Sequence, residues 1–466
     1  MKYTKAFKAY DIRGIFEEEI DNNFAFLMWY GIGNHLIQTQ WPKASLLVSS
    51  DTRKINTDLI THFLAWATTA WITNIDTIDT FAHKEYPYGI ISTSAAYQIG
   101  MNDRDMTTIF TASHNPAEYT GIKAFDKNAW LIDTKDLYQM FTHAQEERNG
   151  PIIAEPKKYT SKPQKIEEKI QSYYQYLNQK WTQLQKNHKF VVDFCHGATV
   201  SAEKNFYNQY ANNHLIMMIN DYPDGTFPAH EWDTSNPENY DQLINHIQQE
   251  QAEFWIMFDG DGDRIWFVSN SGKVINGDII YAIIATQLLK EHKDKNPTLL
   301  YDCMSSKIVA ETIEKHWWSA QISKVGRFFI NHTMTKNKAL SGGEVSGHYM
   351  FQEVGYVESI LLSQYYIMKA LENYNNFDDM IQEYNKYYKW PVKAYKVANK
   401  EVIIETIREK YKEYNPQSID GVSVYTDKYR FNVRWSNTEN KIRFTVEAED
   451  KETREKVTNE LETIIQ

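Results

Sequence analysis

Cysteine is scarce: the 466 residues carry two, Cys195 and Cys303, too few for a disulfide framework. Both stand near the ends of apolar, strand-like runs, so buried free thiols in a reducing, cytoplasmic setting are expected. No apolar run approaches the roughly 20 residues needed to span a bilayer. The opening Met1-Lys2-Tyr3-Thr4-Lys5-Ala6-Phe7 lacks the apolar stretch of a secretory signal, so neither a membrane partner nor export is expected. Positive charge is also in short supply: 50 Lys and Arg face 61 Asp and Glu, a net −11. That balance excludes the broad basic face that nucleic acid or anionic lipid requires. An anionic small molecule stays compatible only if the basic residues converge locally. Low-complexity tracts are missing, and nothing reads as disordered.

What is present is an ordinary globular composition, 42% hydrophobic and 24% charged. At roughly 100 to 200 residues per domain, the length implies about three or four domains. Short apolar runs alternate with helical-period segments over most of the chain. Ser45 to Asp51 reads as a buried strand, Thr57 to Ile72 as a helix and Thr107 to Phe110 as a strand. The pattern restarts at Lys189 to Asp193, with a helix near Ser201 to Tyr210, a strand near Leu215 to Asn220, a helix at Pro237 to Glu250 and a strand at Glu253 to Phe258. A third round runs from Thr298 to Asp302 through a helix at Ser306 to Trp317, a strand near Ser323 and a helix near Phe328, to a long helix at Tyr356 to Leu371. Such alternation predicts α/β units with mixed or mostly parallel sheets and functional loops beyond the carboxyl ends of strands. The polar stretch Glu146 to Lys169, with Pro151, Pro156 and Pro163, is the expected first linker. After Asn373 to Lys389 the pattern changes to strands at Pro391 to Val397, near Val422, at Tyr429 to Arg434 and at Lys441 to Glu447, with helices at Glu401 to Tyr414 and from Glu452. That order suggests a small α+β domain.

Two segments carry chemistry. Phe258-Asp259-Gly260-Asp261-Gly262-Asp263-Arg264 follows the apolar run Trp255-Ile256-Met257 and places carboxylates at alternate positions of a tight turn. One short loop can thereby fold three oxygen ligands around a hard cation, with glycines permitting backbone angles closed to other residues. An EF-hand loop needs Gly at its sixth position and Glu at its twelfth, where this chain has Arg264 and Asn270. A solvated acidic turn is the plain alternative. Thr111-Ala112-Ser113-His114-Asn115-Pro116 also follows a strand, and it offers a hydroxyl beside a His and an Asn able to orient it. Read alone, it is either a nucleophile or simple turn chemistry. A carboxylate triad on one α/β unit and a hydroxyl on another together suggest phosphoryl transfer.

At this point the chain resembles the α-D-phosphohexomutases, and within them the phosphomannomutase/phosphoglucomutase branch. The resemblance rests on Phe7-Lys8-Ala9-Tyr10-Asp11-Ile12-Arg13-Gly14, on Thr111 to Pro116 with Tyr119-Thr120-Gly121-Ile122-Lys123, and on Asp259 to Arg264. Gly342-Gly343-Glu344-Val345-Ser346-Gly347-His348 and Arg434-Trp435-Ser436-Asn437-Thr438-Glu439 extend it nearly end to end. It implies three similar α/β domains with mixed sheets and a smaller α+β C-terminal domain, arranged around a central cleft. The boundaries are expected at 1–152, 153–273, 274–387 and 388–466, with hinge motion of the last domain about 373–390. It implies that Ser113 is a phosphoserine and that Asp259, Asp261 and Asp263 hold Mg²⁺, with a phosphoserine oxygen of Ser113 completing the site. Arg13, His114, Lys123 and Arg264 would surround the phosphoryl group, and Lys123 or His348 would act as acid or base. Tyr10, Arg327 and His348 would line the sugar site, with Glu344 and Ser346 reading sugar hydroxyls O3 and O4. Arg434, Ser436, Asn437 and Thr438 would grip the non-reacting phosphate, as an Arg fork and several neutral donors suit a tetrahedral anion.

The reaction implied is interconversion of hexose 1-phosphate and 6-phosphate, mannose first and glucose second, through a hexose 1,6-bisphosphate that also serves as activator. The partner is then a small phosphosugar, with no nucleic acid and no membrane, and the assembly a monomer or homodimer. A dedicated phosphoglucomutase is an alternative. A phosphoglucosamine mutase is disfavoured by Asn437 and Val345. A weakly catalytic sugar-phosphate-binding protein is a third reading, motivated by Met304, which stands where the branch carries a basic residue and for which Lys307 would partly compensate. Arg327 in place of a His, Trp435 in place of a smaller residue and Asn440 in place of a Pro are the other departures.

Overall fold

The computed structural model of the chain describes residues 2–40, 44–65, 74–78, 85–147, 164–230, 244, 250–293, 296–315, 318–389, 391–436 and 441–466. Two compact units emerge, Met1–Val274 with Val357–Tyr365 and Ile275–Tyr356 with Tyr366–Gln466.

The first sheet holds β1 (Ile12–Ile15), β2 (Ser45–Ser50), β3 (Asn74–Thr77), β4 (Met106–Phe110) and β5 (Tyr119–Asp126) in the order β1-β5-β4-β2-β3. β2 pairs in parallel with both β3 and β4, whereas β5 returns antiparallel to β4 and pairs antiparallel with β1. Every residue of β2 and β4 is buried, as the continuous apolar reading of a strand covered on both faces requires. The helix Asn22–Gln40 buries Phe24, Met28, Trp29 and Ile32 and packs on the helices Ile55–Ala65 and Thr134–Glu147.

The second sheet repeats the scheme. It holds β6 (Lys189–Asp193), β7 (Leu215–Ile219), β8 (Phe254–Phe258), β9 (Ile265–Ser269) and β10 (Val274–Ile275) in the order β10-β9-β8-β6-β7. β6 is parallel to β7 and β8, and β9 returns antiparallel to β8. In the other unit β11 (Thr298–Asp302) is parallel to β12 (Ser319–Ser323) and β13 (Ser341–Gly343), and β14 (Tyr349–Phe351) returns antiparallel to β13.

This threefold topology positions the chemistry. In each repeat one connection joins the last parallel strand to its antiparallel return: residues 111–118 between β4 and β5, 259–264 between β8 and β9, and 344–348 between β13 and β14. The three motif-bearing segments are one structural position used three times. At the end of β6 and β11, and one residue past the end of β2, stands an aspartate whose Oδ1 accepts the backbone N–H two residues on: Asp51 from Arg53 at 2.9 Å, Asp193 from Cys195 at 2.8 Å and Asp302 from Met304 at 2.8 Å. That Asx turn reverses the chain at the strand end.

The C-terminal module is antiparallel. Lys441–Ala448 lies between Tyr388–Lys389 and Tyr429–Trp435, with Val422–Tyr425 beyond, and Lys393–Lys396 also pairs with Lys441–Ala448. The helices Lys400–Lys410 and Lys451–Ile465 cover a core that includes Ile407, Phe431, Val433, Phe444 and Leu461.

Several local expectations need correction. The helix expected from Tyr356 begins at Ile360, because Val357–Glu358 is extended. The expected linker does not reach Lys169, since Gln164–Trp181 is helical and packs on Thr93–Gly100. The segment 373–390 contains the helix Phe377–Tyr384, capped by the Asn376 side chain and burying Phe377, Met380 and Ile381. Residues 148–163, with Pro151, Pro156 and Pro163, residues 66–72 of the expected helix Thr57 to Ile72, and most of the expected helix Pro237 to Glu250 lie outside the described residues.

Candidate active site

Ser113 sits three residues beyond the end of β4 with φ +55°, a left-handed conformation uncommon for a residue bearing a side chain. Its backbone N–H donates to Thr111 Oγ1 at 2.9 Å, and its hydroxyl donates to Asp259 Oδ2 at 3.2 Å and lies 3.3 Å from His114 Nδ1. The loop is held from beneath by Arg53. This guanidinium is fully buried and donates to the carbonyls of Ser113 (3.1 Å), Asn115 (2.6 Å) and Tyr119 (2.9 Å) as well as that of Pro116. Its Nε donates to Asp51 Oδ2 at 3.1 Å, and the same oxygen accepts Thr111 Oγ1 at 2.6 Å. Asp51 and Arg53 were not singled out from sequence. The available signal was a strand-ending Asp followed two residues later by a cation.

The carboxylates of Asp259, Asp261 and Asp263 are buried, and one oxygen of each lies within 4.8 Å of the others. Lys123, on β5, donates its ammonium to Asp261 Oδ2 and, at 2.7 Å, to Asp263 Oδ2. Burial alone would lower its pKa, but the two carboxylates prevail and raise it, so the side chain is a cation. Burial and the charges of Asp263 and Asp261 push the Asp259 pKa up as well, above the usual carboxylate range. Two adjacent residues of the first repeat brace this loop: Thr93 donates from its backbone N–H to the Asp261 carbonyl and from Oγ1 to Asp261 Oδ2, both at 2.7 Å, and Ser94 Oγ donates to the Gly262 carbonyl at 2.7 Å. Gly262 has φ +65°, and a Cβ there would come within 2.4 Å of Thr199 Cγ2, so glycine is required for both reasons.

The donor set fits a hard divalent cation. Three convergent carboxylates are the chemistry such an ion selects, and Asp261 Oδ1 is buried with no hydrogen bond among the described residues. Asp259, Asp261 and Asp263 are the residues that would hold it.

Other cations of the site gather here. Arg13, on β1, is oriented by Asp11 Oδ2 through Nε (2.9 Å) and Nη2 (2.7 Å), and its Nη1 donates to Asn115 Oδ1 at 3.1 Å. Arg264 Nε is 3.5 Å from Asp259 Oδ2. Burial, then the charges of Arg264 and Arg13, drive the His114 pKa well below its ordinary value, so the imidazole is neutral. Tyr10 lies half-buried at the bend before β1. The structure therefore brings Ser113, His114, Lys123, Arg13, Arg264 and the three aspartates together within one unit.

The second unit holds the remaining residues. Glu344 is buried in the β13–β14 connection. Its Oε1 accepts the Gly326 N–H at 2.6 Å, its Oε2 lies 2.9 Å from His348 Nδ1, and Ser346 Oγ lies 3.0 Å from the same nitrogen. Gly326, at φ +125°, caps the helix that begins with Arg327. Arg434 Nε donates to Asp420 Oδ2 at 2.8 Å, and that oxygen also accepts the Val325 N–H at 3.2 Å. Asp420, unnoticed in the sequence, thereby ties Arg434 to the segment carrying Arg327. Ser436 is buried, with its N–H on the Lys441 carbonyl at 2.7 Å. Asn437, Thr438 and Asn440 lie outside the described residues. Met304 is buried, and the Lys307 ammonium lies 3.3 Å from Glu311 Oε1 and 5.5 Å from the Tyr387 ring centroid.

Serine, carboxylate triad and gathered cations on repeated α/β units are the elements of a phosphoryl-transfer enzyme. Residues 4–150, 171–272 and 276–387 match the phosphoglucomutase/phosphomannomutase alpha/beta/alpha domains I, II and III, and residues 393–464 match the C-terminal domain of the same family. The chain belongs to this family. It is 36% identical over 464 residues to a phosphomannomutase of Methanocaldococcus jannaschii, covering 98% of this chain and 97% of that one. A phosphoglucosamine mutase of Clostridium botulinum is 26% identical over 463 residues, covering 98% and 97%. A phosphoglucomutase/phosphomannomutase family protein of Burkholderia thailandensis has the same fold, with a TM-score of 0.83 at 21% identity, covering 100% of this chain and 97% of that one. The protein is thus a mutase of the isomerase class, in a Mg²⁺-dependent family.

Proposed function

We propose that the protein interconverts hexose 1-phosphates and 6-phosphates, acting on mannose and also on glucose, with Ser113 as the phosphoryl carrier. The observation that carries this reading is the 3.2 Å contact of Ser113 Oγ with Asp259, inside a ring made by Arg13, Lys123 and Arg264. In the first half-reaction the Oγ–P bond of phospho-Ser113 breaks as a sugar hydroxyl oxygen bonds to phosphorus. The hydroxyl proton leaves to a base, and Ser113 Oγ takes one up. The bisphosphate then presents its other phosphate, and the same exchange runs in reverse.

A divalent cation on Asp259, Asp261 and Asp263 would offset the charge of the transferring group. Arg13 and Arg264 supply fixed positive charge around it, already oriented by carboxylates and so needing little reorganisation. Lys123, held as a cation by Asp261 and Asp263, would be the acid. His348, beside Glu344 and Ser346, would accept a proton from the sugar. Glu344 and Ser346 would read sugar hydroxyls O3 and O4. Mannose and glucose differ at C2, so these contacts do not separate the two, and dual specificity follows. Arg434, with Ser436, Asn437 and Thr438, would hold the non-reacting phosphate.

A coupled assay with mannose 1-phosphate, glucose 1-phosphate and glucosamine 1-phosphate, with Mg²⁺ and glucose 1,6-bisphosphate, tests the reading. Turnover of the mannose and glucose esters above the glucosamine ester is expected. Preference for the glucosamine ester would move the protein to the phosphoglucosamine branch. No turnover with a phosphorylated Ser113 would make it a sugar-phosphate-binding protein.

A further inference from the structure

The strand-ending aspartates of the three repeats share their Asx turn but differ in what the second carboxylate oxygen does. Asp51 Oδ2 takes Arg53 and Thr111, and Asp302 Oδ2 takes the Val345 N–H at 2.8 Å, so each ties its central strand to its own repeat's chemical loop. Asp193 Oδ2 instead meets His230 Nε2 at 3.0 Å, and the same nitrogen lies 3.8 Å from Cys195 Sγ. One donor atom each from Asp193, Cys195 and His230 falls within a 4.8 Å sphere of mutual distances.

A Cys–His–Asp nucleophile does not account for this geometry. A catalytic triad uses both ring nitrogens, one toward the nucleophile and the other toward the carboxylate. Here one nitrogen faces both groups, as ligands do when they converge on a point. The thiol is also buried, and burial, followed by the charge of Asp193, pushes its pKa well up, the reverse of what a nucleophile needs.

We propose that Asp193, Cys195 and His230 form a second metal site, selective for a borderline transition ion of the zinc class and distinct from the all-carboxylate site. With Zn–S about 2.3 Å and Zn–N and Zn–O about 2.0–2.2 Å, a tetrahedron places S and N about 3.6 Å apart and N and O about 3.4 Å apart. The distances found are 3.8 and 3.0 Å, so a shift of a few tenths of an ångström closes the site. Thiolate and carboxylate together carry two negative charges, which neutralise a divalent ion in a buried setting. Thiolate and imidazole ligands select zinc-class ions over Mg²⁺. Binding releases the thiol proton, forms the S–metal bond and leaves the imidazole proton on Nδ1.

The surrounding geometry is already set. Asp193 Oδ1 is fixed by the Cys195 N–H at 2.8 Å and by Asn220 Nδ2 at 2.9 Å, which leaves Oδ2 to face the other donors. Cys195, His196 and Asn220 all have positive φ, +49°, +54° and +48°, a local concentration of backbone strain of the kind that gathers at functional sites. The turn leads directly to the carboxylate loop, because the Ala198 N–H donates to the Gly260 carbonyl at 2.9 Å. An ion here would pin that turn and, through it, the Asp259–Asp263 loop.

The test is a Co²⁺ titration of the full-length, chelator-stripped protein with excess Mg²⁺ occupying the carboxylates. One equivalent should produce a near-ultraviolet thiolate-to-cobalt charge-transfer band that Zn²⁺ displaces. The band should vanish in Cys195→Ser and persist in Cys303→Ser. Absence of the band in the unaltered protein, or its survival in Cys195→Ser, overturns the proposal. If Cys195→Ser does not fold, Cys303→Ser decides alone, because the chain has only two cysteines. A band retained there belongs to Cys195, and a band lost there refutes the site. Hexose-phosphate turnover plays no part in the readout, so this proposal and the mutase reading fail independently.

Discussion

Replacing Arg53 with Met removes a buried side chain that holds the Ser113 loop from beneath, and its cost can be worked from the contacts. The fork gives up hydrogen bonds to the carbonyls of Ser113, Asn115, Pro116 and Tyr119, and Asp51 loses the cation beside Oδ2. Breaking a buried ion pair by removing one partner costs about 3–5 kcal/mol. Asp51 keeps Thr111 Oγ1, Asn56 Nδ2 and a backbone N–H as donors, which places the expected loss near the low end, about 3 kcal/mol at neutral pH. Burial already raises the Asp51 pKa despite the arginine, and without it the carboxyl is raised further. A carboxyl with a raised folded-state pKa is most favourable at low pH and loses that advantage as pH rises. The penalty of Arg53→Met should therefore shrink on acidification, and Asp51→Asn added to it should recover part of the loss.

Function should suffer through position, since Arg53 touches only the backbone of the Ser113 loop. A displacement of the nucleophile by about 1 Å costs on the order of 100-fold in kcat, with KM little changed. Arg53→Lys keeps the charge but not the fork, and should restore stability more than rate. Urea unfolding at two pH values and the coupled mannose 1-phosphate assay measure both effects. An Arg53→Met protein with stability within about 1 kcal/mol of the unaltered chain and unchanged kcat would refute the assignment of Arg53 as the support of this loop.

Lys123→Met removes the ammonium between Asp261 and Asp263, so the variant should lose about 100-fold or more in kcat and gain more unfolding resistance from added Mg²⁺ than the unaltered protein does. Activity within tenfold of the unaltered protein would remove Lys123 from the proton-transfer role. Glu203 is buried against Ser92, and burial pushes its carboxyl up to about 8. Its folded-state pKa lies above the unfolded value, so its contribution is fully present below about pH 4.5 and is lost as pH rises through about 8. Glu203→Gln should flatten the decline and leave the variant about 3–5 kcal/mol ahead of the unaltered protein at pH 9, relative to their difference at pH 4. Parallel stability curves for the two proteins would show that Glu203 ionises normally in the fold.

Much of the site was legible because its chemistry is local in sequence. Alternating carboxylates after an apolar strand and a serine after another can be read without any long-range contact. The threefold α/β recurrence was legible for the same reason, since strands such as β6 and β11 are short apolar runs ending in Asp. Tertiary partnerships were not. Lys123 reaches Asp261 and Asp263 across 138 and 140 residues, and Asp420 meets both Arg434 and Val325. Arg53 drew no attention in the sequence, yet it is fully buried under the Ser113 loop. The pairing of Lys307 with Glu311, one helical turn on, was open to a reading by spacing and was not noticed. The helix at Phe377–Tyr384 was missed in a segment read only as the boundary before a change of pattern, although Phe377, Met380, Ile381 and Tyr384 have helical spacing.

The central claim is that Ser113 carries the phosphoryl group. Intact-mass measurement after incubation with glucose 1,6-bisphosphate and Mg²⁺ tests it most directly, with the unaltered protein and Ser113→Ala side by side. One added phosphoryl group on the unaltered protein, absent from Ser113→Ala and removed by added hexose monophosphate, is the predicted result. A phosphoryl group that persists in Ser113→Ala, or none on the unaltered protein while it turns over mannose 1-phosphate, would contradict it.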